Sequence, residues 1–140
     1  MALLRANSQK ADTEAIKQTI ITLFKAMRTG DVELLKSVYS EDTMLQSISN
    51  DKEGKAILTN ENTHDLEKVI GTTHKAVYDE RVAFYDIKVY GNIASVWAPY
   101  KFYIDERLSH TGVDIFQLMK VDEGWRIIHI VDTRVKPGKR

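Results

Sequence analysis

In ADTEAIKQTIITLFKAMRTGD, residues 11–31, the apolar side chains Ile16, Ile20, Leu23, Phe24 and Met27 recur at helical spacing, which gathers them on one face of an α-helix. Asp12 or Thr13 can cap the start and Gly30 ends the segment. Residues 1–11 fall outside the periodic pattern and read as a flexible or loosely packed N-terminal stretch. Asp31 caps a short second helix whose Leu34, Leu35 and Val38 face inward. TMLQSIS, residues 43–49, alternates as a strand does, NDKEGK is a turn, and AILT is a short strand. Thr63 can cap a third helix through Asp65–Ile70.

From Lys75 onward the period shortens to that of strands. Four long strand-like runs, at about 76–90, 92–104, 108–121 and 125–134, are separated by Gly91-Asn92, Asp105-Glu106-Arg107 and Asp122-Glu123-Gly124. Such tight, polar, partly glycine-bearing connections are hairpin signals. The expected fold class is α+β: two or three N-terminal helices lying in the palm of a strongly bent, mostly antiparallel sheet. No repeat, low-complexity tract or linker divides the chain, so residues 1–140 are read as one domain.

The third long run contains SHTGVDIF, residues 109–116, with His110, Gly112, Asp114 and Phe116 at alternate positions and therefore on one face. A three-residue turn at Asp122-Glu123-Gly124 pairs Val121 with Trp125. It then sets Phe116 against Ile130, Asp114 against Asp132 and Gly112 against Arg134. A similar count through Asp105-Glu106-Arg107 sets His110 against Phe102, Gly112 against Tyr100 and Asp114 against Ala98. One face thus reads Val96, Ala98, Tyr100, Phe102, His110, Asp114, Phe116, Ile128, Ile130 and Asp132, an apolar wall with a few convergent polar groups, as in small-molecule pockets.

Two carboxylates directly opposite each other repel. They require compensation by Arg134 or a ligand, or a proton held by one of them. His110 and Asp114 are roughly 13 Å apart along an extended strand, too far for a hydrogen-bonded dyad. They can flank a ring-sized ligand, with Gly112 leaving space between them. The bland alternative is that Asp114 and Asp132 pair with Arg134 at a sheet edge while His110 is hairpin surface. A bulge at Gly112 would overturn the count.

Composition adds exclusions. Hydrophobic residues are 43% and charged residues 29% of the chain, with 20 Lys+Arg against 20 Asp+Glu and no cysteine. The charge balance gives no field for nucleic acid or anionic lipid. The lack of cysteine removes disulfides, thiol catalysis and thiolate metal sites. No apolar run reaches the roughly 18 residues of a membrane span, and cytoplasmic residence is the default expectation. The signatures of nucleotide, zinc, acyl-transfer and calcium chemistry are absent. His64 and His74 flank the third helix without ligand spacing and read as surface. His129, in the apolar WRIIHIV, reads as hydrogen-bonded or as part of a dimer interface. No metal or cofactor is expected.

A capped front helix, a second helix after Gly30-Asp31, a strand, a variable middle and a meander ending in EGWRIIHIVDTR resemble the nuclear transport factor two-like superfamily. VWAPYKFYIDERLSHTGVDIFQLMKVDEGWRI further resembles its SnoaL-like, or putative lumazine-binding, branch. The resemblance covers about residues 12–135. It implies a cone-shaped fold whose single pocket serves many chemistries, among them isomerases, dehydratases and cyclases, as well as members that only bind or scaffold. Relatives of the isomerase and cyclase type use a pocket aspartate as general base. The early strand here offers Met44, Gln46 and Ile48 to the cavity region and no carboxylate.

The site expected from these readings has His110, Asp114 and Asp132 as proton-moving groups, with Tyr100, Phe102, Phe116 and Gln46 contacting a small, mostly apolar, cyclic ligand. In the enzymatic version His110, with its ordinary pKa near 6.5, or an aspartate moves the proton while Tyr100 polarises an oxygen. In the other version the domain is a non-catalytic ligand-binding or dimerisation module with a vestigial pocket. A homodimer is expected through the outer sheet face, where parity puts Trp97, Tyr103, Trp125, Ile127, His129 and Val131.

Overall fold

The apolar stripe of the first segment does form a helix, and it starts earlier than its periodicity. The computed structural model describes residues 2–72 and 76–138, with side chains from Gln9 onward; His74 lies outside the described residues. Helix α1 runs Ala2–Thr29, so residues 2–11 extend it. Ile16, Ile20, Leu23 and Phe24 are buried, and Met27 packs against them half-buried. Thr13 lies inside the helix and donates its hydroxyl to the Gln9 carbonyl. Asp12 does not cap: it accepts from Lys120 Nζ at 3.0 Å and from the Trp125 indole at 3.4 Å, tying α1 to the far hairpin.

Gly30, at φ 73°, takes the left-handed conformation that ends α1. Asp31 then caps α2 (Val32–Lys36) by accepting from Leu34 N at 3.0 Å, a contact worth about 1 kcal/mol. Leu35 and Val38 are buried. Strand β1 (Tyr39–Asn50) pairs with β2 (Ala56–Glu61). Helix α3 (Thr63–Gly71) is capped by Asn62, which accepts from Asp65 N. Thr63 sits instead in its first turn, buried, with its hydroxyl on the Glu41 carbonyl. His64 belongs to that turn too, with its ring nitrogen 3.7 Å from Glu67.

The run expected at 76–90 breaks at 83–85 into β3 (Tyr78–Val82) and β4 (Asp86–Tyr90). Both pair with β5 (Ile93–Ile104), β3 near its end and β4 near its start. Strands β6 (Arg107–Val121) and β7 (Gly124–Thr133) complete a sheet of order β2-β1-β7-β6-β5-β3. Every pairing is antiparallel except β1 with β7, which is parallel. The parallel contact arises because β1 leaves the helices and enters the sheet beside the last strand, not beside a hairpin partner. The helices pack on one face, where Phe24 meets Phe116 edge-on at 6.1 Å. Among the described residues no helix is long and apolar enough to cross a membrane.

Both long hairpins close more tightly than the sequence count assumes, and each then recovers the count through a one-residue bulge. Ile104 pairs with Arg107 around a two-residue turn, Asp105 at φ 50° and Glu106 at φ 67°, the left-handed pair whose twist matches flanking strands. The extra residue Ser109 then brings Phe102 opposite His110, Tyr100 opposite Gly112 and Ala98 opposite Asp114. In the next hairpin Val121 pairs with Gly124, not Trp125, and a bulge at Ile128 restores Phe116 opposite Ile130 and Asp114 opposite Asp132.

The second bulge reverses parity between the turn and Ile128. Trp125 and Ile127 are therefore buried in the core, whereas Ile128 is exposed. Trp125 and Ile127 leave the outer face proposed for them, and Ile128 leaves the inner one. Trp97 stays outside, about half exposed at 49%. Strand β1 is also shifted: Thr43, Leu45 and Ser47 point inward and Met44 outward.

Candidate functional site

Between α1, α3 and the sheet the side chains leave a cavity of about 80 Å³, several times the roughly 10–15 Å³ that one water occupies. Its apolar wall comes from Leu23, Phe24 and Met27 of α1, Leu66 of α3, Leu45 of β1, Phe116 of β6 and Ile130 of β7. Its polar end is made by Ser47, Glu61, Glu80, Asp114, Asp132 and Arg134.

The charges at this end do not match one to one. Arg134 places Nη2 3.6 Å from Glu61 and Nε 3.4 Å from Asp132. Asp114 is only 3% exposed and its carboxyl meets that of Glu80 in hydrogen-bond contact. Neither Asp114 Oδ2, Glu80 Oε2 nor Asp132 Oδ1 has a hydrogen-bond partner among the described residues. Two carboxyl groups can share a hydrogen bond only if one carries a proton. Burial, the Glu80 carboxyl and nearby Asp132 hold the Asp114 pKa well above the carboxylate range. Burial pushes Glu80 up to about 7; Asp132 adds to the rise, while the hydrogen bond to Asp114 and the Arg134 charge oppose it. The pair therefore keeps one proton near neutral pH, poised to give it up.

Four of the residues read from sequence line this cavity: Gln46, Asp114, Asp132 and Phe116. Tyr100, Phe102 and His110 share their face but lie beyond it. Tyr100 is buried and donates its hydroxyl to the Thr133 carbonyl at 2.7 Å. Its pKa is raised by burial first and then by Asp132 and Asp114, and its hydroxyl proton is committed to that carbonyl. Phe102 stacks between Tyr78, at 6.0 Å, and His110, at 4.8 Å. The Tyr100 ring meets His110 edge-on, and Ser109 Oγ lies 3.1 Å from its Nδ1. Burial, and secondarily Arg134, lowers the His110 pKa. His110 does not line the cavity but borders a neighbouring surface groove with Asn50, Lys52 and Lys136 that shares Arg134 with it, so its grouping with Asp114 and Asp132 in one cavity is corrected.

Gln46 borders the cavity, but its amide is engaged elsewhere. Nε2 donates to Asn60 at 2.9 Å, and Oε1 lies 2.8 Å from His129 Nε2. The space expected over Gly112, between His110 and Asp114, is filled by the chain itself. A Cβ at Gly112 would lie 1.9 Å from the Thr133 carbonyl oxygen. Thr133 is seated there by the Tyr100 hydroxyl and by Val113 N, which donates to its Oγ1 at 3.1 Å.

Sequence reasoning missed Glu80. Its one local signal is alternation: Tyr78 and Val82 pack on the core, so Glu80 between them must face inward too. The long uniform strand expected over 76–90 hid that short triplet.

The sequence profile of a family described as "putative lumazine-binding" matches residues 11–131. No curated protein matches the chain. Among solved structures, an NTF2-like protein with a cystatin-like fold from Novosphingobium aromaticivorans superposes with TM-score 0.73 at 13% identity, over 97% of this chain and 90% of the other. A putative dehydratase from the NTF2-like family of Streptomyces avermitilis gives TM-score 0.70 at 13% identity, over 91% and 98%. A putative aromatic ring hydroxylase from Novosphingobium aromaticivorans gives 0.67 at 19%, over 91% of each chain. At such identities the likeness is one of fold.

Proposed function

The chain belongs to the putative lumazine-binding family of the nuclear transport factor two-like superfamily, and we propose that its cavity binds a small, mostly apolar, cyclic ligand and performs acid/base chemistry on it, of the isomerase, dehydratase or cyclase kind. The observation that carries this reading is the Glu80–Asp114 carboxyl pair facing an apolar cavity. A purely structural sheet gains nothing from two carboxyls in contact, whereas a proton shared near pH 7 suits a general acid or base. The pair would take a proton from one position of the ligand and return one at another, its two carboxyls alternating as base and acid. Asp132 and Arg134 would set the local field, and the apolar wall, by excluding water, would strengthen each of these interactions.

The test has two stages. Mass spectrometry of small molecules released from the purified protein, together with a thermal-shift screen of small cyclic compounds, identifies what the cavity takes. Turnover of any stabilising compound is then compared between the parent and Asp114→Asn. A ligand that binds but is unchanged by either protein would make the domain a binding module. No stabilising compound, and none released, would refute the cavity as a ligand site. The protein is further proposed to pair with a second copy through the outer sheet face that carries the half-exposed Trp97.

A further inference from the structure

We propose that the ligand of this cavity is a small organic cation, an apolar ring or short chain bearing a protonated amine, amidine or similar nitrogen group. The inference rests on the cavity being a ligand site and adds the chemical class. Glu61, Glu80, Asp114 and Asp132 border the cavity against a single cation, Arg134. That guanidinium is already flanked by Glu61 at 3.6 Å and Asp132 at 3.4 Å. Asp114, 3% exposed, brings to the site an oxygen that takes no hydrogen bond from the described residues, as does Glu80, while the Asp132 oxygen that also lacks one has the Arg134 Nε 3.4 Å away. Carboxylate oxygens only accept, so whatever completes them must bring donors and positive charge.

A proton between Glu80 and Asp114 is the smallest occupant that meets this demand. An ammonium meets it more fully, because its three donors can be divided among three acceptors. An anionic ligand would face four carboxyl groups, neutralised only by the one proton of the Glu80–Asp114 pair, across a cavity whose one cation is paired. The rest of the wall, with Phe24, Phe116 and Ile130, calls for an apolar body. Among the described residues no cluster of three or more acidic or histidine side chains is arranged to hold a metal ion.

Proton and organic cation then compete for one place. The other groups that face the pair are Asp132 near the end of β7, Arg134 just beyond it, and the phenols Tyr85 and Tyr100, both with pKa raised first by burial. Glu61 reaches the same cavity from β2, while α1 and α3 bring only apolar side chains. Binding a cation therefore releases up to one proton to solvent, and affinity rises with pH, by at most about tenfold per unit.

The experiment titrates the full chain with two size-matched probe sets by calorimetry: benzylammonium, benzyl alcohol and benzoate, then isobutylammonium, isobutanol and isobutyrate. The expected result is that one ammonium binds at least about tenfold more tightly than its alcohol, as charge-assisted hydrogen bonds exceed neutral ones, and that its carboxylate counterpart does not bind. Its affinity should be higher at pH 8 than at pH 6, with proton release measured from the buffer dependence of the heat. Asp114→Asn and Asp132→Asn should each weaken it at least about tenfold. If Asp114→Asn fails to fold, the Asp132 variant and the pH dependence of the parent carry the test. An alcohol or carboxylate that binds as well as its ammonium would overturn the cation while leaving the cavity as a ligand site. Failure of all six probes would overturn both.

Discussion

Gly112→Ala is the sharpest test of how the sheet is built around the site. The added Cβ would lie 1.9 Å from the Thr133 carbonyl oxygen and 2.8 Å from its carbonyl carbon and Oγ1. Ordinary contact is about 3.5 Å, so the end of β7 must withdraw by about 1.5 Å. It cannot do so without loosening the Tyr100 hydroxyl bond to the Thr133 carbonyl and the Val113 N bond to the Thr133 hydroxyl. Overpacking of this kind costs about 1–3 kcal/mol, and each of the two hydrogen bonds about 0.5–1.5 kcal/mol. Against this, alanine restricts the unfolded chain and returns about 0.4–1 kcal/mol. The net expectation is a loss of about 3 kcal/mol, or roughly 10 °C in Tm for a chain of this size. Urea denaturation followed by circular dichroism measures it directly, with thermal melts as a second reading. A variant within about 0.5 kcal/mol of the parent at unchanged m-value would show that Thr133 does not sit against Gly112, and the placement of Asp132 and Arg134 on either side of it would fall too.

Three further outcomes are expected. Because the raised pKa values mean that the folded state binds more protons than the unfolded chain between about pH 4.5 and 7, parent stability carries a contribution that falls as pH rises through that window. The double variant Glu80→Gln/Asp114→Asn lacks it, so its stability relative to the parent should grow by up to about 3 kcal/mol from pH 5 to pH 8; a constant difference would sink the shared-proton picture. Once a substrate is known, Asp114→Asn should lower turnover about a hundredfold, while His110→Ala, which does not line the cavity, should leave it within about threefold; the reverse pattern would move the chemistry to the surface groove. Light scattering should show a dimer at micromolar concentration that Trp97→Glu dissociates, and a monomeric parent protein would remove the outer face as an interface.

The fold was legible because its signals are local and redundant. Ile16, Ile20, Leu23 and Phe24 repeat at a period that only a helix gathers on one side, and the polar breaks at Asp105-Glu106 and Asp122-Glu123 are short enough to force antiparallel neighbours. What escaped depends on partners distant in sequence. Nothing in TMLQSIS says that β1 will lie parallel to β7, and its parity was misjudged because Met44 and Ile48 are apolar while Thr43 and Ser47 are not. Thr43 is nonetheless buried, with its hydroxyl on the Ile127 carbonyl at 2.8 Å. A buried hydroxyl with a backbone acceptor cannot be told from an exposed one by composition.

The candidate site shows the same division. Asp114 could be set opposite Asp132 because an assumed three-residue turn and a real two-residue turn followed by a bulge give identical pairing beyond the bulge. Between turn and bulge they differ, which is where Trp125, Ile127 and Ile128 were misplaced. Glu80 could not be reached by such counting. It comes from β3, on the far side of β5 from β6, where Glu80 is paired with Phe102 and Asp114 with Ala98, so no cross-strand register brings the two together. Gly112 is equally out of reach of such counting: its missing side chain lets the Thr133 carbonyl settle onto β6. Thr133 stands between Asp132 and Arg134 in sequence, so the turn of chain that seats it also delivers a carboxylate and a guanidinium to the cavity. A glycine first read as leaving room for a ligand thus leaves room for the strand that arranges the charges, and the ligand's place lies farther in, against Asp114 and Phe116.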